Sequence, residues 1–193
     1  GAAISDRSEK DKEMILTNAK RILREGFHPK FWMIDKSAAE RAAILEVWPK
    51  AVIRVCQFHV IQAITRYNST SEGKKKGRKA IHMSEEMLGM LLVAFRSAQR
   101  CRDTKDDPWK AAHEAFNKQI RRICRKYSRL DLILILTEYF DDNWWCEEWR
   151  NSVIDAGLPQ GMTRDGNLNT NNWVEALFRM LDQVFLQMRK NKR

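Results

Sequence analysis

The chain has 193 residues, of which 44% are hydrophobic, so it is long enough for one domain of ordinary size or two small ones with a real core. Its net charge of +10 favours an acidic partner, with nucleic acid first and an anionic membrane surface second, although an inert basic surface also accounts for it. The four cysteines form no C-x-x-C pair, which argues against a disulfide framework or an all-cysteine zinc site and favours reduced thiols. The longest apolar runs, Met87–Phe95 and Leu132–Leu136, are too short to span a bilayer, and no signal peptide is visible.

The first third of the chain alternates helical patterns with short apolar runs. The predicted elements are, in order, a helix over residues 9–26, a strand over Phe31–Ile34, a helix from Ser37 to about Val47, a strand over Ala51–Val55 and a helix over residues 57–67. Gly26 is the stop signal of the first helix, and Ser37 with Glu40 forms a capping box that begins the second. Because the connections are short, the two strands are expected to be parallel and joined by a right-handed crossover.

Parallel strands place their carboxyl ends on one edge of the sheet, where α/β folds bind ligands. Asp35 and Cys56 each follow one of the two strands, and His59 falls in the first turn of the next helix. Since Glu40 can complete the cap with Ser37, Asp35 is not needed for capping. Asp35 is therefore either a functional carboxylate or an exposed residue at a strand end.

The middle of the chain reads as a basic linker followed by helices. Residues 68–79 contain Ser, Gly and basic residues, of which Lys74, Lys75, Lys76 and Arg78 are candidates for DNA binding. Residues 84–150 have a helical pattern throughout. Within it, residues 108–129 combine an apolar face with a basic stripe whose members are Lys118, Arg121, Arg122, Arg125, Lys126 and Arg129. Such a stripe suits phosphate contacts, although a solvated helix face has the same composition.

Aromatic residues cluster after this helix, at Trp144, Trp145 and Trp149. Tryptophans can stack on nucleic-acid bases, but burial in the core is the favoured interpretation. The preceding pair, Asp141 and Asp142, is interpreted as an N-cap of the tryptophan-rich helix.

Glu175 has two interpretations. Asn172 is a good N-cap, and Glu175 three residues later suits the first turn of an amphipathic helix that follows a loop over residues 157–169. Asp35 and Glu175 are also candidate oxygen ligands for Mg²⁺ or Mn²⁺, the ions that serve phosphodiester chemistry in pairs.

The spacing Cys56-x-x-His59 supplies half of a zinc site. His82, Cys101 and His113 are the other candidate ligands, but nothing in the sequence brings them close. A zinc ion is therefore not expected, and local hydrogen bonding of His59 beside the carboxylate edge is favoured.

Three blocks in order, "FWMIDKSAAERAAILEVWPKAVIRVCQFHVIQAITR", "YFDDNWW" and "NTNNWVEALFRML", resemble the transposases of Mutator-like elements. The resemblance covers most of the chain, and the combination of Asp…Pro…CxxH with the later TNNxxE is its specific part. It implies an RNase H-like domain with an Asp, Asp, Glu triad, interrupted by a large helical insertion before the Glu. Carried over, Asp35 is similar to the second catalytic Asp and Glu175 to the Glu, both as metal ligands, while Cys56 and His59 are similar to the C-x-x-H pair.

The resemblance also divides the chain. It implies an α/β, mostly α fold: a partial RNase H-like core over residues 1–67, the basic linker at 68–79, a helical insertion over 80–157, and a loop and helix returning to the core over 158–193. The family's first Asp lies on a strand that this sequence does not match, and Asp6 does not fit its motif. We therefore expect this chain alone to be inactive or weakly active.

The expected function is transposase-type DNA cleavage and joining with Mg²⁺ or Mn²⁺, acting on transposon ends and target DNA in the nucleus. A homo-oligomer is left open, and no membrane partner is expected. One alternative is a domesticated, non-catalytic DNA-binding or regulatory protein derived from such an element. A further one is an unrelated helical interaction module.

Overall fold

A computed structural model describes residues 6–68, 81–101 and 107–157 of the chain. The first part contains helix α1 (Asp6–Arg24), strand β1 (Phe31–Ile34), helix α2 (Ala38–Val47), strand β2 (Val52–Val55) and helix α3 (Gln57–Asn68). The remainder contains helices α4 (Glu85–Gln99), α5 (Pro108–Lys126) and α6 (Leu132–Phe140), a π-helical turn (Asp141–Trp145), helix α7 (Glu147–Val153) and a 3₁₀ turn (Asp155–Gly157). The described residues are thus mostly helical, as predicted.

The two strands form a parallel pair, which confirms the predicted strand–helix–strand unit. Phe31 is opposite Val52 and Ile34 is opposite Val55, with α2 as the crossover between them. The backbone N–H of Cys56 donates to the carbonyl of Ile34 at 2.9 Å, which continues the ladder one residue past β2. Asp35 and Cys56 are therefore held side by side where both strands end.

The helix boundaries follow from local chemistry. The N–H of Gly26, at φ 83°, donates to the Leu23 carbonyl, and the N–H of Phe27 donates to the Ile22 carbonyl at 3.3 Å. This is the hydrogen-bond pattern of a Schellman motif, which uses the left-handed conformation that glycine adopts without strain, so α1 ends at Arg24, two residues before its predicted stop.

Helix α2 begins with one of the two hydrogen bonds of the predicted capping box, the one accepted by Ser37. Ser37 Oγ accepts from the N–H of Glu40 at 3.2 Å. The N–H of Ser37, however, donates to the carbonyl of Asp35 at 2.7 Å, where a capping box would direct it to the Glu40 side chain. The backbone of Asp35 therefore contributes to the start of α2.

One hydrophobic core runs from the sheet into the helical region. Its centre is aromatic: the ring centroid of Phe95 lies 5.3 Å from that of Phe116 and 4.9 Å from that of Phe140. Trp144, Trp145 and Trp149 are all buried, in agreement with their interpretation as core residues. None of the helices in the described ranges is both long enough and apolar enough to cross a bilayer.

The interpretation of Asp141 and Asp142 as an N-cap is wrong. Helix α6 passes directly into the π-helical turn, and α7 begins later, with Cys146 at its N-cap position and no side-chain cap hydrogen bond. A single π turn within a helix re-aims the side chains it carries. Here it turns Asp141 toward His113, whose Nε2 lies 2.5 Å from the Asp141 carboxylate.

Arg54 joins the sheet to the end of the helical region. Its side chain lies in β2 and is buried, 5% exposed. Nη1 donates to the carbonyls of Asn151 and Ile154, each at 3.0 Å, and Nη2 donates to the Asp155 carboxylate at 2.7 Å. This buried ion pair was not predicted from the sequence.

Candidate functional site

Three side chains of different chemistry meet where the strands end. Asp35 follows β1, Cys56 follows β2, and His59 lies in the first turn of α3. One ligand atom from each, a carboxylate oxygen, the thiol sulfur and a ring nitrogen, lies within 4.8 Å of the others. Asp35 Oδ1 and His59 Nδ1 lie 2.7 Å apart. The sequence predicted Asp35 and Cys56 as neighbours on this edge, and the structure brings His59 to them.

The cluster is open on one side and closed on the other. The Asp35 side chain is 54% exposed and that of His59 is 27% exposed, while Cys56 is fully buried. Solvent and solutes therefore reach the site from the carboxylate side, whereas the sulfur faces the protein interior.

A second carboxylate lies close to Asp35. The pKa of Glu40 is raised, first because the side chain is partly buried and second because the negative charge of Asp35 is near. The carboxylate of Glu40 in the first turn of α2 is thus repelled by that of Asp35 at the sheet edge, and a cation bound to Asp35 would relieve this repulsion. The sequence pattern predicts only a capping role for Glu40 and gives no sign of this electrostatic one.

Lys36 links the site to the helical region. Its Nζ donates to Asn143 Oδ1 at 3.1 Å and lies 4.6 Å from the ring centroid of Trp144. Burial lowers the pKa of this amine, and the charges of Cys146 and Glu148 oppose that shift. Because Lys36 is next to Asp35 in sequence, its attachment to the π-helical turn helps to fix the backbone of Asp35.

The other predicted zinc ligands are engaged elsewhere. His113 contacts Asp141 and Asn117, the latter through an Nδ2 to Nε2 separation of 3.1 Å. The side chain of His82 is exposed, and its backbone carbonyl accepts a hydrogen bond from Arg129. Neither histidine, nor Cys101, belongs to the cluster of Asp35, Cys56 and His59. The third member of that cluster is Asp35, which is not among the zinc ligands that the sequence suggests.

The basic stripe on α5 is arranged as predicted, with one exception. Its exposed members are Lys118, Arg121, Arg122, Arg125 and Lys126. Arg129 lies beyond the helix and is partly buried, and it forms two hydrogen bonds to Asp131, at 3.0 Å and 2.9 Å. The charge of Arg129 is thus largely neutralised within the chain, which leaves the five exposed residues, here called the α5 basic face.

Several predicted site residues lie outside the described ranges. They are Glu175, Lys74, Lys75, Lys76 and Arg78. The expected convergence of Glu175 with Asp35 therefore stays a prediction.

A second cluster of polar residues, which the sequence did not indicate, surrounds His113. A cavity of about 290 Å³ opens here, and its lining includes His113, Asp141, Trp145, Trp109 and Arg150. The Arg150 guanidinium lies 4.9 Å from the centroid of the Trp109 ring. Residues 102–106, which precede α5, are outside the described ranges.

The chain has no match among known families. Protein-family models, curated proteins and solved structures all give no significant match to it. Function therefore has to be argued from the site itself. Carboxylate, thiol and imidazole groups are side chains of the kind that bind divalent cations, and the carboxylate of this set is exposed to solvent.

Proposed function

We propose that this chain carries part of an RNase H-like catalytic centre that cleaves and joins DNA strands by divalent-metal chemistry, as in the transposases it resembles. The observation that carries the proposal is the position of Asp35. It follows a strand in a parallel pair, beside Cys56 and His59 on the same edge. Asp35, the pair Cys56-x-x-His59 and then Glu175 follow each other in the order found in the transposases that the chain resembles.

The donor chemistry at this edge suits a hard cation. Asp35 offers an accessible carboxylate. The pKa of nearby Glu40 is raised, first by burial and second by the negative charge of Asp35. Carboxylate oxygens are the ligands that Mg²⁺ and Mn²⁺ prefer, and we assign Asp35 and Glu175 as those ligands. When bound, paired divalent ions activate the attacking hydroxyl and stabilise the leaving oxygen of a phosphodiester. What the chain itself supplies is the rigid placement of Asp35 by β1 and α2.

The α5 basic face supplies a surface for the nucleic acid. Lys118, Arg121, Arg122 and Arg125 follow the spacing of a single helix face and are all exposed. From Lys118 to Arg125 the helix rises by about 10 Å, which is the axial rise of about three nucleotides of one DNA strand. Binding through these residues is electrostatic and independent of base sequence, and it weakens as salt rises. Transposon ends and target DNA in the nucleus are the partners that fit this assignment, with a homo-oligomer as a further element of the proposal.

The test is a plasmid-nicking assay with Mg²⁺ or Mn²⁺. It compares this chain with a version in which a strand bearing the family's first Asp precedes residue 1. The extended version is expected to nick DNA only with metal present, and Asp35→Asn and Glu175→Gln are each expected to abolish nicking. Asp131→Asn is the matched control, because Asp131 is an exposed aspartate paired with Arg129 and should leave nicking unchanged.

This chain alone is expected to show little or no nicking, because its sequence does not match the first Asp motif. Strong cleavage by this chain that disappears with Glu175→Gln would contradict that expectation. An extended version that binds DNA yet never nicks it would overturn the proposed cleavage activity.

The α5 basic face also supports the alternative of a non-catalytic DNA-binding or regulatory protein, because its cations do not depend on Asp35. Salt-dependent DNA binding without metal-dependent cleavage by the extended version would favour this alternative. Absence of DNA binding at low salt would instead favour a helical protein-interaction module.

A further inference from the structure

We infer that Asp35, Cys56 and His59 form a binding site for a thiophilic divalent ion of the Zn²⁺ class, distinct in chemistry from the Mg²⁺ or Mn²⁺ assigned above. Carboxylate, thiolate and imidazole are the three kinds of side chain that bind zinc in proteins. Here one of each converges at a single sheet edge, with all three ligand atoms within 4.8 Å of one another.

The distances are close to what such an ion requires. In tetrahedral coordination, Zn–N and Zn–O bonds of about 2.0–2.1 Å and a Zn–S bond of about 2.3 Å put the ligand atoms about 3.3–3.6 Å apart. Asp35 Oδ1 and His59 Nδ1, at 2.7 Å, would separate by about 0.6 Å to reach that range. The remaining pairs, at most 4.8 Å apart, would close by about 1.2 Å or less. Rotation of the Asp35 side chain, which is more than half exposed, can make the changes in the two pairs that include Asp35. The change in the Cys56–His59 pair would come from rotation of the partly exposed His59 side chain, because Cys56 is fully buried.

The thiol decides which ions the site selects. Mg²⁺ takes hard oxygen ligands and gains nothing from sulfur, whereas Zn²⁺ and Co²⁺ bind thiolate well. Cys56 is fully buried, so its sulfur meets a metal only from within the cluster. Binding requires the thiolate form, so the Cys56 thiol releases its proton as the metal–sulfur bond forms.

Three protein ligands leave one coordination position open. The exposure of Asp35 places that position on the solvent side, which is the arrangement of an open zinc site and unlike a closed, four-ligand structural one. A Zn²⁺ ion held here uses the Asp35 carboxylate as a ligand. The consequence for cleavage rests on the proposed function: Zn²⁺ bound to Asp35 excludes Mg²⁺ from that carboxylate and so inhibits metal-dependent cleavage.

The experiment is titration of the reduced, metal-free chain with Co²⁺, followed by absorption spectroscopy. A thiolate ligand gives Co²⁺ a charge-transfer band in the near ultraviolet, and tetrahedral coordination gives visible bands. Both are expected for the unmodified chain. Added Zn²⁺ should abolish them by displacing Co²⁺, because zinc binds such sites more tightly, while Mg²⁺ in excess should not.

Substitutions identify the ligands. Cys56→Ser should abolish the charge-transfer band. Asp35→Asn and His59→Ala should each weaken Co²⁺ binding by about 10–100-fold or more, because even residues that only support a ligand have effects of that size. Cys124→Ser is the matched control: Cys124 is equally buried but lies outside the cluster, so the band should persist. Because Asp35 is exposed, Asp35→Asn leaves the fold intact and keeps the test valid if Cys56→Ser destabilises the chain.

Two results would overturn this inference: no charge-transfer band in the unmodified chain, or a band that survives Cys56→Ser. The outcome is separable from that of the cleavage assay. A cobalt band without nicking by the extended version removes the proposed cleavage and leaves the metal site. Nicking by the extended version with no cobalt band removes the metal site alone.

Discussion

Replacement of Asp155 by Asn tests the ion pair that joins β2 to the end of the helical region. The Arg54 and Asp155 side chains are 5% and 3% exposed, and their charged atoms lie 2.7 Å apart. Arg54 also donates to the carbonyls of Asn151 and Ile154. Asp155→Asn retains the approximate shape and one oxygen acceptor but removes the negative charge, so the Arg54 cation stays buried without a counter-ion from this residue.

The expected cost is large. Removal of one partner from a buried ion pair destabilises a protein by about 3–5 kcal/mol, because the other charge is left in a medium of low dielectric. The amide oxygen that the substitution introduces and the two backbone carbonyls still accept hydrogen bonds, which places the expected loss near the lower end, about 3 kcal/mol. With a urea m value of about 2 kcal/mol/M, the unfolding midpoint should fall by about 1.5 M.

Urea unfolding followed by circular dichroism measures this loss, and the chain supplies its own control. Arg129 and Asp131 form the same kind of pair with N–O distances of 3.0 Å and 2.9 Å, but the Asp131 side chain is 61% exposed. Asp131→Asn should therefore cost less than about 1 kcal/mol. Arg54→Met combined with Asp155→Asn should cost less than the sum of the two single changes, because the two residues interact. Equal losses for Asp155→Asn and Asp131→Asn would refute the argument that burial gives the Arg54 pair its importance.

Three further predictions concern charge at the site and on the α5 basic face. The pKa of Glu40 is raised in the folded chain, which means that folding disfavours its ionised form. Glu40→Gln removes that form and should therefore raise the free energy of unfolding at neutral pH. That gain should vanish as the pH falls below the ordinary pKa of a glutamate, where folded and unfolded chains are both protonated. Asp35→Asn should lower the pKa of Glu40 only in part, since burial is the larger cause; an NMR titration that finds the pKa fully normal would contradict this. Replacing Arg121, Arg122 and Arg125 by Ala should reduce the slope of log K against log salt by about 2–3 for duplex DNA, if each contacts one phosphate. The matched control replaces exposed basic residues away from α5, namely Arg21, Arg24 and Lys30, and an equal change in slope there would rule out a specific α5 interface.

The strand pair and its edge could be predicted from sequence because the signals are local. The apolar run of Phe31–Ile34, the cap at Ser37 and the second run ending at Val55 each depend on neighbouring residues, and the handedness of the crossover leaves one arrangement. That arrangement then places Asp35 beside Cys56 without further information. The observed strands, Phe31–Ile34 and Val52–Val55, differ from the predicted ones by one residue at a single end.

The ion pair of Arg54 could not be predicted in this way. Arg54 stands in an apolar strand, and its partners lie 97 to 101 residues further along the chain. No periodicity connects two such positions, and burial of a guanidinium is visible only once the helical region has packed against β2.

The error at Asp141 has a different cause. An acidic pair before a tryptophan-rich segment is typical of an N-cap, but α6 continues into the π-helical turn and no new helix begins at Asp141. The partner of Asp141 is His113 on α5, which is 28 residues earlier. Tertiary packing, which propensity does not encode, decides where that carboxylate points.

The attachment of Lys36 has a consequence for how Asp35 is held in place. Its ammonium group sits against Trp144 and hydrogen-bonds Asn143, while its main chain is one peptide bond from Asp35. The sheet edge that carries Asp35 is therefore tied to the π-helical turn through the side chain of the next residue. Lys36→Ala would remove this attachment, while the buried Arg54–Asp155 pair would still join β2 to the end of the helical region.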